Sequence, residues 1–302
     1  MINSRKVKLF LRENFGNSVL LAEWFLGKKF PIFLDYPINP IPRYGFGKPY
    51  HKRLYALINE NSEIYKKYLV DFTSQRDPFF EINVEKESGL DLEPYLRNDF
   101  FPVFDAFVLY SFLALNNPRH HFEIGSGEST KFVRRAIKDF GLRTEVTSID
   151  PSPRSRIDKL CDVVVRKSVE DIDLEFFQSL EEGDILFVDS SHRVFQNSDV
   201  TVCFLDIIPY LKPGVLVHFH DILLPWDYSQ EYGGQRYYSE QYLLAAFILG
   251  EGDRFEIVMP NYFVSIEPQF RNVLEKFQIG KSSGSSFWIR MNRPEEGCLT
   301  RW

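Results

Sequence analysis

His120-His121-Phe122-Glu123-Ile124-Gly125-Ser126-Gly127-Glu128-Ser129-Thr130 is the stretch on which the fold turns. A short apolar strand runs into two glycines one residue apart, and the spacing predicts a helix opening at about Ser129. Glycine at a strand–helix turn lets the backbone approach a ligand at distances a Cβ would obstruct. Ser129 or Thr130 can cap the helix, whose free N–H groups favour an anionic group nearby. The next strand ends at Asp150, the spacing at which an acidic residue binds ribose hydroxyls. The dinucleotide fingerprint G-x-G-x-x-G needs glycine at 130, and Thr130 stands there, which counts against NAD.

Outward from this turn, apolar runs alternate with amphipathic ones. Strands are expected at 120–124, 144–149, 162–165, 185–188 and 215–219, with helices at 129–140, 169–180 and 198–211 between them. Continuous apolar runs followed by helices predict a parallel sheet covered on both faces. A helical stripe (Phe104, Phe107, Val108, Ser111, Phe112, Leu115) precedes the first strand and ends at Asn116-Asn117-Pro118. A helix at 239–249 leads to strands at 255–259 and 285–291; between them lie Pro260, Asn261 and a polar stretch ending in Lys281-Ser282-Ser283-Gly284. The chain divides near Asn98. Before it, 52–70 reads as one amphipathic helix, preceded by a proline-rich aromatic loop over 30–50 that packs on the domain behind it or serves as a substrate lid.

A polar cluster follows the fourth and fifth strands. Asp189-Ser190-Ser191-His192 ends one, and His218-Phe219-His220-Asp221 ends the other. In an open parallel sheet both strand ends open onto one crevice. Period-two alternation puts His218 and His220 on one face, so Asp189, His192, His220 and Asp221 can converge while His218 reads as a core histidine. Two carboxylates with imidazoles suit a divalent metal or general-base work. Beyond them, Leu224-Pro225-Trp226-Asp227-Tyr228 and Tyr237-Tyr238-Ser239-Glu240-Gln241-Tyr242 offer aromatic faces for a flat acceptor, or ordinary packing under a long loop, with Gly233-Gly234 as a flexible joint.

Glu123 followed by Gly125 and Gly127, with Ser129 in place of a frequent third glycine, resembles the class I S-adenosylmethionine-dependent methyltransferases. The spacing of Asp189 and His192, with the pair His220-Asp221, is similar to the metal-dependent sugar O-methyltransferases of the methyltransferase domain 24 group. The resemblance covers 98–291. It implies an α/β, Rossmann-like doubly wound, mostly parallel seven-stranded sheet with an antiparallel last strand, over 98–302. Residues 1–97 form a largely helical or irregular extension. It implies S-adenosylmethionine as cofactor, with Glu123 near the methionine amino group and Asp150 on the ribose diol. Gly125, Ser126, Gly127, Ser129, Pro151, Ser168 and Asp189 complete that set. His192 would be the base, with Asp189 and Asp221 beside it, and Asp189, His220 and Asp221 would hold a divalent metal. His220 stands where the pattern has a carboxylate; imidazole is a poor magnesium ligand, so manganese, iron or no metal fits better. The expected acceptor is a hydroxyl on a sugar, glycan or sugar-containing metabolite. Two rivals stay open: a metal-dependent oxygenase on the same scaffold, and a catalytically idle S-adenosylmethionine-binding partner.

Bulk properties narrow the class. A net charge of −6 gives no basic stripe for nucleic acid, and Arg5, Lys6, Lys8 and Arg12 read as a solvated helix face. Cys161, Cys203 and Cys298 make no CxxC pair, which fits a reducing cytoplasm, with Cys161 and Cys203 as small core residues. The apolar stretch 19–34 is broken by Glu23, Lys28 and Lys29, so no integral membrane segment of roughly twenty apolar residues is expected. No signal peptide is read, and self-association as a homo-oligomer is left open.

Overall fold

Seven strands form one sheet in the order β3-β2-β1-β4-β5-β7-β6. They are β1 (His120–Ile124), β2 (Glu145–Ile149), β3 (Val163–Val165), β4 (Ile185–Val188), β5 (Leu216–Phe219), β6 (Phe255–Pro260) and β7 (Phe287–Met291). β1 pairs in parallel with β2 and β4, and β4 with β5; β7 runs antiparallel between β5 and β6, so the last strand alone is reversed. The computed structural model describes Leu26 and residues 35–153, 156–250, 254–277 and 283–292. The basic start, the apolar stretch 19–34 apart from Leu26, Lys281-Ser282 and Cys298 lie outside the described residues. Residues 1–40 and 41–302 are two compact units, and the sheet belongs to the second.

The helices of that unit are α1 (Lys52–Glu60), α2 (Ser62–Asp71), α3 (Arg76–Phe80), α4 (Val103–Asn116) and α5 (Glu128–Phe140). They continue with α6 (Leu174–Phe177), α7 (Asp199–Val202), α8 (Glu240–Leu249), α9 (Asn261–Ile266) and α10 (Arg271–Phe277). α4 is apolar nearly all round, and Phe104 to Leu113 are buried without a break. A helix apolar on every side must be covered on every side. Part of its cover comes from the segment before residue 98: Phe72 stacks edge-on to Phe107 and Phe112, and Phe79 to Phe107 and Tyr110, while Phe140, Phe277 and Trp288 pack on its other sides. Leu54, Ile58, Tyr65, Leu69, Ile82 and Leu96 share one hydrophobic cluster with the strands.

The structure corrects three local expectations. The helix expected over 52–70 is two helices, broken at Asn61, whose Nδ2 donates to Ile257 O on β6 at 3.1 Å. The span 169–180 is not one helix but a 3₁₀ turn at Val169–Asp171 and the four-residue α6, with Ile172 and Asp173 extended between them. The polar stretch between the last two strands is largely helical, with α9 and α10 joined at Pro268. The helix expected over 198–211 is continuous but uneven, passing through a π-helical turn at Cys203–Ile207 before Pro209. Cys203 is fully buried and Cys161 half-buried, neither in a disulfide. No helix among the described residues is long and apolar enough to cross a membrane.

Candidate active site

Parallel pairing places the carboxyl ends of β1, β2, β4 and β5 along one edge, and the loops leaving them line a cavity of about 550 Å³. That volume falls within the range of small-molecule sites. Gly125, Ser126, Gly127, Ser129, Asp150, Pro151, Ser168, Asp189, His192, His220 and Asp221 all contribute to its wall.

The first turn is shaped by its two glycines in different ways. Gly125 has φ +82°, and a Cβ there would lie 1.8 Å from Asp189 O, so only glycine lets β1 and β4 close at this point. Gly127 has nothing within 4 Å of where its Cβ would be, and it borders the cavity. Gly127 is also the N-cap of α5, which opens at Glu128; its N–H donates to Thr130 Oγ1 at 3.1 Å. Asp150 is aimed by two backbone donors, Ser126 N at 3.1 Å and Ser152 N at 2.8 Å.

Glu123 lies behind the turn and the first residues of α5. It is fully buried and does not line the cavity. Its two oxygens accept from Ser129 Oγ and from Thr130 Oγ1, the latter at 2.6 Å, which ties the first turn of α5 back to β1. Both hydroxyls donate to Glu123, and Thr130 Oγ1 also accepts from the N-cap Gly127 N–H, so Thr130 takes part in capping α5 while Ser129 serves Glu123. Burial pushes the Glu123 carboxyl up to about 8, against the lowering effect of both hydroxyl bonds.

At the other side of the cavity, β4 and β5 deliver the polar cluster. His192 Nε2 lies 3.2 Å from Asp189 Oδ1 and 3.7 Å from Asp221 Oδ2, and its Nδ1 lies 2.8 Å from Glu240 Oε2. His220 Nδ1 lies 3.5 Å from Asp189 Oδ1 and 3.8 Å from Asp221 Oδ1. On its far side, His220 Nε2 meets Ser285 Oγ at 3.3 Å and Asp105 Oδ2 at 3.7 Å. His192 and Asp221 both hold left-handed backbone, φ 60° and 55°. Such residues cost of order 1–3 kcal/mol each and persist where their surroundings over-determine them. His218 stays in the core, stacked on Phe187 at 3.8 Å with Nε2 on Ser286 Oγ at 2.7 Å.

Burial works against a charge on either cluster histidine, but their partners outweigh it. Hydrogen bonds to Asp189 and Glu240 hold His192 well above its ordinary value, and the charges of Asp189 and Asp221 do the same for His220. Burial likewise opposes the Asp189 charge, and the two imidazoles hold its carboxyl well below the usual range. Among the described residues, no three His, Cys, Asp or Glu side chains are disposed to share a metal ion. Asp189, His220 and Asp221 form, with His192, a network of closely spaced charged groups, and the divalent metal implied by the resemblance finds no support among the described residues.

Three groups that the local patterns did not single out complete the site. Asp105 on α4 and Glu240 at the start of α8 are fully buried carboxylates behind His220 and His192. Arg236 joins Tyr232 and Tyr238 on the cavity wall, its guanidinium 5.1 and 5.8 Å from their ring centres. Of the aromatic loop, Tyr238 borders the cavity with its ring 4.6 Å from His192. Trp226 and Tyr228 instead pack inward, against Phe263 and beneath Tyr242 respectively.

Residues 122–222 match the model of a family described as a methyltransferase domain. Over 134 residues the chain is 29% identical to an uncharacterized protein of Archaeoglobus fulgidus, a match covering 42% of this chain and 60% of that protein. A methyltransferase of Podospora anserina bound to S-adenosylhomocysteine superposes over 80% of this chain and 95% of its own, with 16% identity and a TM-score of 0.40. An O-methyltransferase from Bacillus cereus in complex with S-adenosylhomocysteine covers 80% of this chain and 99% of its own, with 14% identity and a TM-score of 0.38.

Proposed function

We propose that this chain, whose residues 122–222 match the model of a methyltransferase domain, transfers the methyl group of S-adenosylmethionine to a hydroxyl of a small-molecule or glycan acceptor. One observation carries this reading: a single cavity has the Gly125-Ser126-Gly127 turn with Asp150 on one side and His192 between two carboxylates on the other.

The cradle suits the cofactor. Asp150 accepts two backbone bonds and keeps acceptor capacity for a ribose diol, since a carboxylate has about four lone-pair sites. Gly127 leaves open space beside the N-terminus of α5. Ser190 Oγ, buried on the lining and without a partner among the described residues, is a further polar group for a ligand to engage. Pro151, Ser168 and Ser129 shape the rest of the wall, and Glu123 acts behind it by fixing Ser129 and Thr130. When bound, S-adenosylmethionine supplies an electrophilic methyl group on a cationic sulfur.

An alcohol is a weak nucleophile near neutral pH, so the protein's task is to take its proton and hold it in line. His192 lines the cavity, Asp189 and Asp221 on the same wall approach its Nε2, and that nitrogen is the candidate proton acceptor. Its partners hold it protonated at rest, so the base form grows as pH rises toward its elevated pKa. Asp189 and Asp221 orient the ring and balance its charge. Tyr238 stands against His192, with Tyr232 and Arg236 beside Tyr238 on the cavity wall, and these groups offer faces on which a sugar or aromatic ring can stack.

The test is transfer of isotopically labelled methyl from S-adenosylmethionine to a panel of hydroxyl acceptors. Turnover is expected to rise with pH above 6.5, and His192→Gln to lower it by roughly 10²–10⁴-fold while S-adenosylhomocysteine still binds. Cofactor binding with no methylated product from any acceptor would assign the chain to the idle partner instead.

A further inference from the structure

We infer that Glu240 is the positioning residue for His192, holding the ring proton on Nδ1 so that Nε2 is the nitrogen that works in the cavity. The inference rests on the proposed role of His192, and four features of the structure carry it. Glu240 Oε2 lies 2.8 Å from His192 Nδ1, and Glu240, unlike Asp189 and Asp221, does not line the cavity. The Glu240 side chain is fully buried, so this pair is formed away from water. Its second oxygen, Oε1, is buried with no hydrogen-bond partner among the described residues. A half-satisfied buried carboxylate is costly, and its one strong bond goes to this imidazole.

The backbone agrees with the side chain. His192 O accepts from Ser239 N at 2.8 Å and from Glu240 N at 3.2 Å, and Val194 N donates to Ser239 Oγ at 2.9 Å. The start of α8 therefore grips the His192 loop by its main chain and the ring by its Nδ1, which accounts for the survival of left-handed backbone at a non-glycine residue. A histidine whose Nδ1–H is engaged by a carboxylate presents Nε2 for proton exchange, the division of labour that a base and its orienting acid require. Asp189 and Asp221 face that Nε2, and Tyr238 packs on the ring. Without Glu240, the neutral ring would do better with its proton on Nε2, pointed at the two carboxylates.

Nitrogen-15 NMR of histidine-labelled full-length protein, recorded at a pH above the elevated His192 pKa where its ring is neutral and with the ring assigned by loss of its signals in His192→Gln, reads this directly. In the wild type, Nδ1 is expected at the protonated-type shift. In Glu240→Leu, and equally in Glu240→Ala, it is expected to move to the unprotonated-type shift. S-adenosylhomocysteine affinity should stay within ~3-fold, and Glu240→Asp should return part of the wild-type pattern. A wild type whose neutral ring carries its proton on Nε2 would overturn the inference without any variant, as would a Glu240→Leu protein with an unchanged His192 spectrum. Failure of the wild type to bind S-adenosylhomocysteine would instead count against the proposed function, leaving the tautomer result to stand by itself.

Discussion

Glu123 and His121 sit two residues apart on one face of β1, both fully buried, and burial pushes them in opposite directions. Glu123 is raised to about 8 from an ordinary 4.5, so its protonated form stabilises the fold. That contribution is complete below about pH 4.5 and is lost as pH climbs through about 8. Thermal melts across this window should show the wild type losing stability relative to Glu123→Gln; parallel curves would contradict the assignment. His121 is lowered to about 3 by burial, with the nearby Arg134 charge adding to it, and neither ring nitrogen has a partner among the described residues. Its stability contribution is present above about 6.5 and lost as pH falls toward 3. His121→Leu is expected to stabilise by ~1 kcal/mol at pH 7, because an unpartnered buried polar ring is replaced by an apolar one, and to flatten the acid limb. Denaturant titrations at pH 5 and 7 check both parts. The acidic residue ahead of the glycine turn is legible in the chain, but the burial of Glu123 is not. That burial goes with Ser129 and Thr130 turning their hydroxyls back toward β1.

The strand–turn–helix element from β1 to α5 separates folding from binding in two glycines flanking Ser126. Gly125→Ala puts a methyl into the Asp189 carbonyl and demands left-handed backbone of a residue with a Cβ, so a loss above ~3 kcal/mol is expected in urea unfolding. Gly127→Ala meets no atom within 4 Å and has an extended φ of −175°, so stability should stay near wild type. If the space beside it belongs to the cofactor, calorimetry will show S-adenosylhomocysteine binding weakened by roughly tenfold. Equal behaviour of the two variants would be hard to reconcile with this turn. Elements with an unbroken period are legible in the chain: the parallel strands, α4, α5 and α8 fall close to where apolar spacing places them. Elements set by tertiary contacts are not. The break at Asn61 is held from β6, and α9 and α10 are short helices between prolines that local pattern reads as loop.

Across the molecule, the two sides of the site are tied together by charges drawn from distant parts of the chain. Asp105 on α4 accepts from Asn261 Nδ2 at 2.7 Å, Ser285 N at 2.7 Å and Ser286 N at 3.0 Å, joining the first long helix to α9 and the approach to β7. Ser285 Oγ then reaches Asp221 Oδ1 at 3.4 Å, so the same knot supports the β5 end of the cluster. Asp105→Ala leaves three buried donors without an acceptor, and a loss of ~3–5 kcal/mol in equilibrium unfolding is expected; a loss under ~1 kcal/mol would show that the knot is incidental. Asp105 and Glu240 escape a reading of the chain because each lies far in sequence from the histidine it faces, on a helix whose pattern is otherwise ordinary. The same long-range packing draws residues 52–97 into the core of the sheet. Through that scaffold the central claim concerns one cavity and one cofactor. Titration calorimetry with S-adenosylhomocysteine tests it most directly: the wild type should bind with a Kd in the micromolar range (about −8 kcal/mol), and Asp150→Ala should weaken binding by ~1–3 kcal/mol through loss of charge-assisted hydrogen bonds. No heat of binding from the folded wild-type protein would contradict it.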